Sequence, residues 1–308
     1  MYWPEFGANG KDSITVRQIA THQSGVAHVS TIIPPGGMNN WERMAGLIEV
    51  QEPLWEPGTR TGYHTFTFGF VLGEVLRRVD GRTIGTFFRQ EIAEPLGLDC
   101  WIGLPAEHES RVAPSIPFDL STLDPIQRRT ATPDPGSILA LIVNNSGGWF
   151  SSWDSPDAHA AELPASGAIT NARGLAGHYA PLSLGGAVHG VRLLSQDAVS
   201  GLRYPQAATD VDAVLGIRTA FSLGYSKSWV NPPRTRLRIG EDAFGTSGLG
   251  GQIGFADPAY RMAFGYTVNQ HAFGTGVNER GQALIDSVYE ALGSPTKRLG
   301  YWARPTLG

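Results

Sequence analysis

Residues 55–73 read Trp55-Glu-Pro-Gly-Thr-Arg-Thr-Gly-Tyr63-His-Thr-Phe-Thr-Phe-Gly-Phe-Val-Leu-Gly73, and they contain the most informative local pattern of the chain. A Pro-Gly turn comes before Tyr63, and the residues from 65 to 79 are apolar on nearly every side. A helix that is apolar all round is buried, so we predict a buried helix here that ends at Asp80-Gly81. The polar phenol of Tyr63 therefore lies at the beginning of a core helix.

The composition is that of a globular protein large enough to bury a sizeable core. The chain has 308 residues, of which 41% are hydrophobic, and a formal net charge of −4. It has no dense basic run, so neither nucleic acid nor an anionic membrane surface is an expected partner. Cys100 is the only cysteine, which excludes an internal disulfide bond and a multi-cysteine metal site. The eight histidines lack metal-binding spacing, and we expect neither a metal nor another cofactor.

Helix signals continue on both sides of the opening stretch. Thr15 and Gln18 have the spacing of a capping box. Further helices are predicted to begin after Asn40, at Thr83, at Asn171, at Ser195 and at residue 278. In the last of these we expect four side chains to face inward, those of Leu284, Ile285, Val288 and Tyr289. Residues 104–165 are rich in Pro, Ser, Asp and Gly, and we predict long irregular excursions there.

The pattern changes to that of strands after about residue 215. Residues 221–225, 251–256 and 262–269 are predicted strands, and Asp257-Pro-Ala-Tyr260 is the turn between the last two. A helical part followed by an antiparallel sheet and a terminal helix predicts an α+β fold. We therefore expect one domain over residues 1–308, mainly helical or irregular over 1–212, with the sheet and the C-terminal helix over 213–308.

Five segments resemble, in the same order, motifs of the serine beta-lactamase-like hydrolases, which include class C beta-lactamases, DD-peptidases and family VIII carboxylesterases. These segments are residues 13–25, 55–73, 94–98, 184–195 and 244–258. Each is a weak signal alone, but their common order is a strong one. The resemblance implies the beta-lactamase/transpeptidase-like α+β fold. It also implies that the chain begins after the N-terminal strands and the Ser-x-x-Lys helix of that family, because residues 2–6 resemble the segment that follows this helix.

The resemblance assigns the role of catalytic base to Tyr63. In the family, a Lys and a Tyr phenolate share the proton transfer, and a nearby ammonium lowers the pKa of the phenol. Thr65 stands at the motif's third position, which is often Asn, and this weakens any amide contact to substrate. The alternative interpretation is that Tyr63 is a core tyrosine whose hydroxyl bonds to the main chain.

The resemblance also implies a substrate-binding and oxyanion segment at Thr246, Ser247, Gly248 and Leu249. Gly248 would let the strand edge approach the substrate, and the amide of Leu249 would be one oxyanion donor. Thr246 stands where the family has Lys or His, so a cation that could bind a beta-lactam carboxylate is absent. This favours neutral esters as substrates. The alternative is an ordinary glycine-rich edge strand.

The sequence contains no convincing Ser-x-x-Lys nucleophile. Its three lysines are Lys11, Lys227 and Lys297, and only Lys297 has a serine three residues earlier. This match, Ser294-Pro-Thr-Lys297, lies after every other motif and contains a Pro that indicates a turn, not the first turn of a buried helix.

Two functional hypotheses follow. The first is a serine hydrolase, esterase-like, that acts on a small-molecule ester or amide and whose recorded chain begins after its nucleophile, so that it is inactive as given. The second is a non-catalytic binding module or a decaying gene fragment. We expect an unpaired sheet edge and poorly covered apolar surface around Phe66, Phe70 and Val71. No membrane span or export signal is apparent, so a cytoplasmic location is expected.

Overall fold

The computed structural model describes residues 2–124, 132–231, 235–274, 276–294 and 302. Its α-helices are α1 (Val16–Ala20), α2 (Trp41–Val50), α3 (Thr67–Asp80), α4 (Ile84–Phe88), α5 (Ile138–Asn144), α6 (Trp149–Ser152), α7 (Pro156–Ala160), α8 (Ala172–Ser183), α9 (Gln196–Leu202) and α10 (Glu279–Ala291). Its strands are β1 (Cys100–Ile102), β2 (Ala168–Thr170), β3 (Ala187–Val188), β4 (Val191–Arg192), β5 (Ala207–Thr209), β6 (Thr219–Phe221), β7 (Trp229–Asn231), β8 (Thr235–Leu237), β9 (Phe244–Ser247), β10 (Ile253–Asp257) and β11 (Met262–Tyr266). Helices and antiparallel strands together confirm the predicted α+β class.

The predicted buried helix is α3, and it lies in the core of the helical part. Gly81 ends it in the left-handed conformation at φ 91°, as the sequence predicts. The ring of Phe70 is 5.2 Å from that of Trp41 on α2. A Cβ built at Gly73 would lie 2.5 Å from the Trp41 ring, so this glycine allows the two helices to approach. The indole of Trp41 also donates to the buried carboxylate of Glu74.

The expectation of exposed apolar surface on this helix is wrong. Phe66, Phe70 and Val71 are all buried. The indole of Trp41 lies against Phe70, and Trp149 on α6 lies against Phe66 with ring centroids 6.4 Å apart. The reason is that the 104–165 segment folds back over α3 instead of looping out into solvent.

That segment is also more regular than its composition predicts. It contains α5, α6 and α7, whose N-cap residues are Ser137, Gly148 and Ser155 and which are only 7, 4 and 5 residues long. Such short helices have little periodicity of their own, and tertiary packing forms them. The N-caps predicted elsewhere are confirmed: the side chains of Thr15, Asn40, Thr83, Asn171 and Ser195 accept from main-chain amides at helix starts.

The main sheet has three antiparallel strands in the order β11–β10–β9. Ile253 pairs with Tyr266 on one side and with Ser247 on the other. The predicted turn is confirmed, since the amide of Tyr260 donates to the Asp257 carbonyl. The α8 helix packs on one face of the sheet, where Gly254 accommodates Tyr179, and α10 packs on the other. All five residues of β11 are half-buried, and no second strand pairs with it among the described residues.

Two details of the predicted elements are wrong. Leu284 on α10 is 48% exposed, whereas Ile285 and Tyr289 are buried, because only a narrow stripe of this helix faces the sheet. The first predicted strand lies earlier, as β6, and its neighbour β5 begins before residue 212. None of the helices in the described ranges is long and apolar enough to cross a membrane.

Candidate functional site

Tyr63 lies half-buried in the turn that leads into α3, held by three separate parts of the chain. Its main-chain amide donates to Oδ1 of Asp212 at 3.0 Å. The ring of His22 lies beside it, with ring centroids 5.0 Å apart. Phe221 of β6 stacks on it at 6.2 Å with an interplanar angle of 16°, and Phe221 also contacts His22 with centroids 4.4 Å apart. The phenol therefore stands where the helical part meets the sheet.

His22 occupies an unusual backbone conformation beside Tyr63. Its φ is 59°, a left-handed value that is uncommon outside glycine. Its carbonyl accepts from the amide of Gly62 at 3.0 Å, and its Nδ1 accepts from the amide of His64 at 3.1 Å. Nδ1 is thus an acceptor, and burial, together with His64, lowers the pKa of His22 well below its usual range. The imidazole next to Tyr63 is therefore neutral.

Ser24 and His64 form a buried pair under Tyr63 that sequence reasoning missed. Nδ1 of His64 lies 2.6 Å from the Gly62 carbonyl, which only accepts, so Nδ1 carries the proton. Nε2 of His64 then accepts from the Ser24 hydroxyl at 2.7 Å. Both side chains are buried, and burial lowers the pKa of His64 to about 4. A substrate cannot reach this buried serine, so the pair is structural. The two residues are 40 positions apart, so no local sequence pattern could predict that they pair.

The phenol of Tyr63 is protonated in this environment. Burial raises its pKa above the ordinary value, and the Asp212 carboxylate raises it further. A phenolate base therefore requires a cation beside it.

Neither described lysine can supply that cation. The Lys11 ammonium donates to the carbonyls of Ala8, Glu49 and Gln51. The Lys227 ammonium donates to the carbonyls of Glu241 and Ala243, and burial lowers its pKa to about 8. Ser294 donates to the phenol oxygen of Tyr260, while Lys297 lies outside the described residues.

The segment of Thr246, Ser247, Gly248 and Leu249 forms the end of β9 and the turn after it. Thr246 is exposed and is hydrogen-bonded to the buried Tyr179. The amide of Gly248 donates to the carbonyl of Gln252 at 2.9 Å, which continues the ladder with β10. Thr246 thus presents a neutral hydroxyl at the exposed strand edge.

Leu249 is the part of this segment that has an available donor. Its side chain is 39% exposed, and its amide has no acceptor within the described ranges. The turn around it is fixed, because the Gly248 carbonyl accepts from Gly251 and the Gly250 amide donates to the Gly274 carbonyl at 3.1 Å. A fixed, unpaired amide can stabilise an oxyanion.

A continuous path of contacts joins Tyr63 to this segment. Phe221, which stacks on Tyr63, forms a bridge to Ser226, and Ser226 forms a bridge to Gly245 next to Thr246. The structure therefore places the Tyr63 turn and the end of β9 on adjoining elements. Thr65 does not extend the site, since its hydroxyl oxygen is buried and has no partner in the described part of the chain.

No cluster of His, Cys, Asp and Glu in the described ranges has the arrangement of a metal site. Cys100 is a buried free thiol that packs with Leu98.

Comparison with known proteins gives matches along most of the chain. The Beta-lactamase family model matches residues 1–287. The protein named esterase/beta-lactamase LipL of Mycobacterium tuberculosis (strain ATCC 25618 / H37Rv) is 33% identical over 291 residues, which are 87% of this chain and 62% of LipL. The chain therefore spans less than two thirds of the length of this relative.

Solved structures of similar proteins support the same family. A family VIII carboxylesterase is 34% identical, with a TM-score of 0.74 over 94% of this chain and 74% of that one. EstA from Arthrobacter nitroguajacolicus Rue61a is 30% identical, with a TM-score of 0.81 over 95% of this chain and 76% of EstA. From its sequence match and its three-dimensional similarity, the chain belongs to the beta-lactamase family.

Proposed function

We propose that this polypeptide forms the base and the anion-binding part of a serine esterase site. Tyr63 is the base, and the Leu249 amide is one oxyanion donor. The observation that carries this proposal is the path from Tyr63 through Phe221 and Ser226 to β9, which brings the two motifs to adjoining elements. The similarity to LipL and to a family VIII carboxylesterase supports an ester-cleaving reaction.

The nucleophile and its lysine come, in this proposal, from polypeptide outside these 308 residues. Two observations support this. Lys11 and Lys227 are bound to main-chain carbonyls, and the raised pKa of Tyr63 needs an additional cation to fall. An ammonium placed near the phenol would favour the phenolate.

The reaction is an acyl transfer in two halves. A serine hydroxyl attacks the ester carbonyl and passes its proton to the Tyr63 phenolate, while the Leu249 amide donates to the developing oxyanion. The C–O bond then breaks, and Tyr63 returns the proton to the leaving alcohol. Water repeats these steps on the acyl-enzyme. Thr246 supplies no cation for a substrate carboxylate, so small neutral esters are favoured over beta-lactams.

The test compares this chain with a form extended by the upstream reading frame. We expect no hydrolysis of short-chain p-nitrophenyl esters by the 308-residue chain and no mass gain with a fluorophosphonate probe. We expect the extended form, if it carries Ser-x-x-Lys, to be labelled on that serine and to cleave esters faster than a chromogenic cephalosporin. Labelling of the short chain on Ser247 or Ser294 with turnover would show that the nucleophile has been misplaced.

A second candidate function is non-catalytic binding. The protonated Tyr63 phenol and the engaged ammonium groups of Lys11 and Lys227 favour it. An extended form that folds, carries Ser-x-x-Lys and still resists the fluorophosphonate probe would support this candidate over the esterase.

A further inference from the structure

Three successive main-chain amides at Tyr63 donate hydrogen bonds to only two residues, and both acceptor residues are distant in the sequence. The amides of Gly62 and His64 donate to the carbonyl and to Nδ1 of His22, and the amide of Tyr63 donates to Asp212. We propose that His22 and Asp212 are positioning residues for Tyr63 that together hold its phenol in one place. The inference rests on the proposed function only in that Tyr63 is taken as the base.

Asp212 is more than a turn residue. Its Oδ1 accepts from the amides of Val214 and Leu215 at 2.9 and 3.0 Å, as an aspartate that closes a tight turn does. Its Oδ2 accepts from Thr219 on β6, and the third bond to Oδ1 comes from Tyr63, 149 residues away. A carboxylate that is 1% exposed thus ties the β5–β6 connection to the Tyr63 turn.

His22 accepts from the other two amides of this turn. Its left-handed backbone turns both its carbonyl and its ring toward the 62–64 segment. Strained conformations of this kind persist only where the surroundings over-determine them, and they concentrate at functional sites. The ring then packs against both Tyr63 and Phe68, with centroids 5.0 and 4.9 Å away.

The two residues also define the electrostatic environment of the phenol. The titratable groups that face this turn are His22, His64 and Asp212. Both imidazoles have lowered pKa values and are neutral near pH 7, so burial first and then the charge of Asp212 raise the pKa of Tyr63. Positioning and protonation are therefore linked, and the base stays protonated until an ammonium approaches it.

The first experiment follows Tyr63 by NMR in protein labelled with ¹³C at tyrosine Cζ. Tyr63→Phe removes and so assigns its signal. In the wild type, we expect Tyr63 to ionise at higher pH than free tyrosine does in the same buffer. Ionisation at or below the pH at which free tyrosine ionises would overturn the proposal without the need for any further variant.

The second experiment removes the charge at Asp212. Asp212→Asn keeps the shape and one acceptor oxygen, so we expect the Tyr63 signal to titrate at lower pH than in the wild type. Asp210→Asn is the matched control, since Asp210 lies in the same connection but is exposed and pairs with Arg218. We expect it to leave the Tyr63 titration unchanged. An equal response of Tyr63 to both variants, or no response to either, would contradict the role of Asp212.

The third experiment replaces His22 by Asn, which tolerates the left-handed backbone. We expect the Tyr63 signal to shift and broaden because its ring loses one wall. In an active extended form we expect kcat to fall at least tenfold with KM nearly unchanged. An unaltered Tyr63 signal in folded His22→Asn protein would overturn the assignment of His22. None of the NMR measurements needs a nucleophile, so a failure of the esterase proposal would be seen separately, by the fluorophosphonate probe.

Discussion

At the scale of single residues, the chemistry of Tyr63 depends on groups that are not adjacent to it in sequence. The ring of Tyr63 contacts the neutral imidazole of His22 and stacks on Phe221. Its main-chain amide donates to the buried carboxylate of Asp212. Desolvation makes such a phenol a poor base by itself. The same surroundings make it responsive to one added cation, because a charge in a buried setting acts with little screening.

The first prediction at this scale concerns the phenol oxygen. In an active extended form, Tyr63→Phe removes the proton-transferring oxygen and nearly preserves volume. General acid–base assistance is worth ~10²–10⁴-fold, so kcat should fall by about that range. Stability should change little, because no hydrogen bond of the phenol is seen with the described residues. Steady-state kinetics and a urea titration check both parts, and full activity of the variant would refute the base assignment.

The second prediction concerns pH and His64. Its folded-state pKa of about 4 lies below the ordinary value of 6.5, so the unfolded chain binds the extra proton first as pH falls. Stability from this residue is thus complete above about pH 6.5 and is lost as pH falls toward 4, by on the order of 3 kcal/mol. Urea titrations between pH 4 and 7.5 should show a steeper loss for the wild type than for His64→Gln. Parallel curves would contradict the prediction.

At the scale of elements, close contact between helices and strands relies on glycines placed at crossing points. Gly73 meets the indole of Trp41 where α3 crosses α2, and Gly254 and Gly265 meet α8 where it crosses the sheet. A helix–sheet contact at glycine brings the two backbones together and buries the apolar side chains around it. The Gly73 contact holds α3, and with it the Tyr63 turn, against α2, whereas the other two hold α8 on the sheet.

The prediction at this scale uses two glycines in neighbouring helices. Gly73→Ala would place a Cβ 2.5 Å from the Trp41 ring, and overpacking of this kind costs ~1–3 kcal/mol. Gly46→Ala on α2 is the control, because no atom lies within 4 Å of its added Cβ and alanine favours helix by ~0.5–1 kcal/mol. Urea unfolding should move in opposite directions for the two variants. A stabilised Gly73→Ala protein would show that the α2–α3 contact is loose.

At the scale of the whole molecule, the outer edge of β11 is where the main sheet could accept another strand, since no second strand pairs with β11 among the described residues. The strand is uncharged, with the sequence Met262-Ala-Phe-Gly-Tyr266, and it contains no proline. Its half-buried residues and this edge form a template for pairing with another chain. Phe66 and Phe70, by contrast, are buried against Trp149 of α6 and Trp41 of α2.

We therefore predict self-association of the 308-residue chain. Its sedimentation coefficient should rise with concentration over the micromolar range, because the β11 edge can pair with a second copy. A cooperative melt from a concentration-independent monomer would argue that this chain is stable in its present form.

Local patterns were enough to predict the α+β class, the family resemblance, the helix starts outside residues 104–165 and the position of Tyr63 at the start of a buried helix. These patterns are apolar periodicity, capping residues and turns, which act within a few residues. The contacts of Tyr63 with His22, Asp212 and Phe221, the Ser24–His64 pair and the cover over α3 became visible only once the chain was folded. These join residues 40 to 158 positions apart, and no local pattern encodes which distant groups packing will bring together.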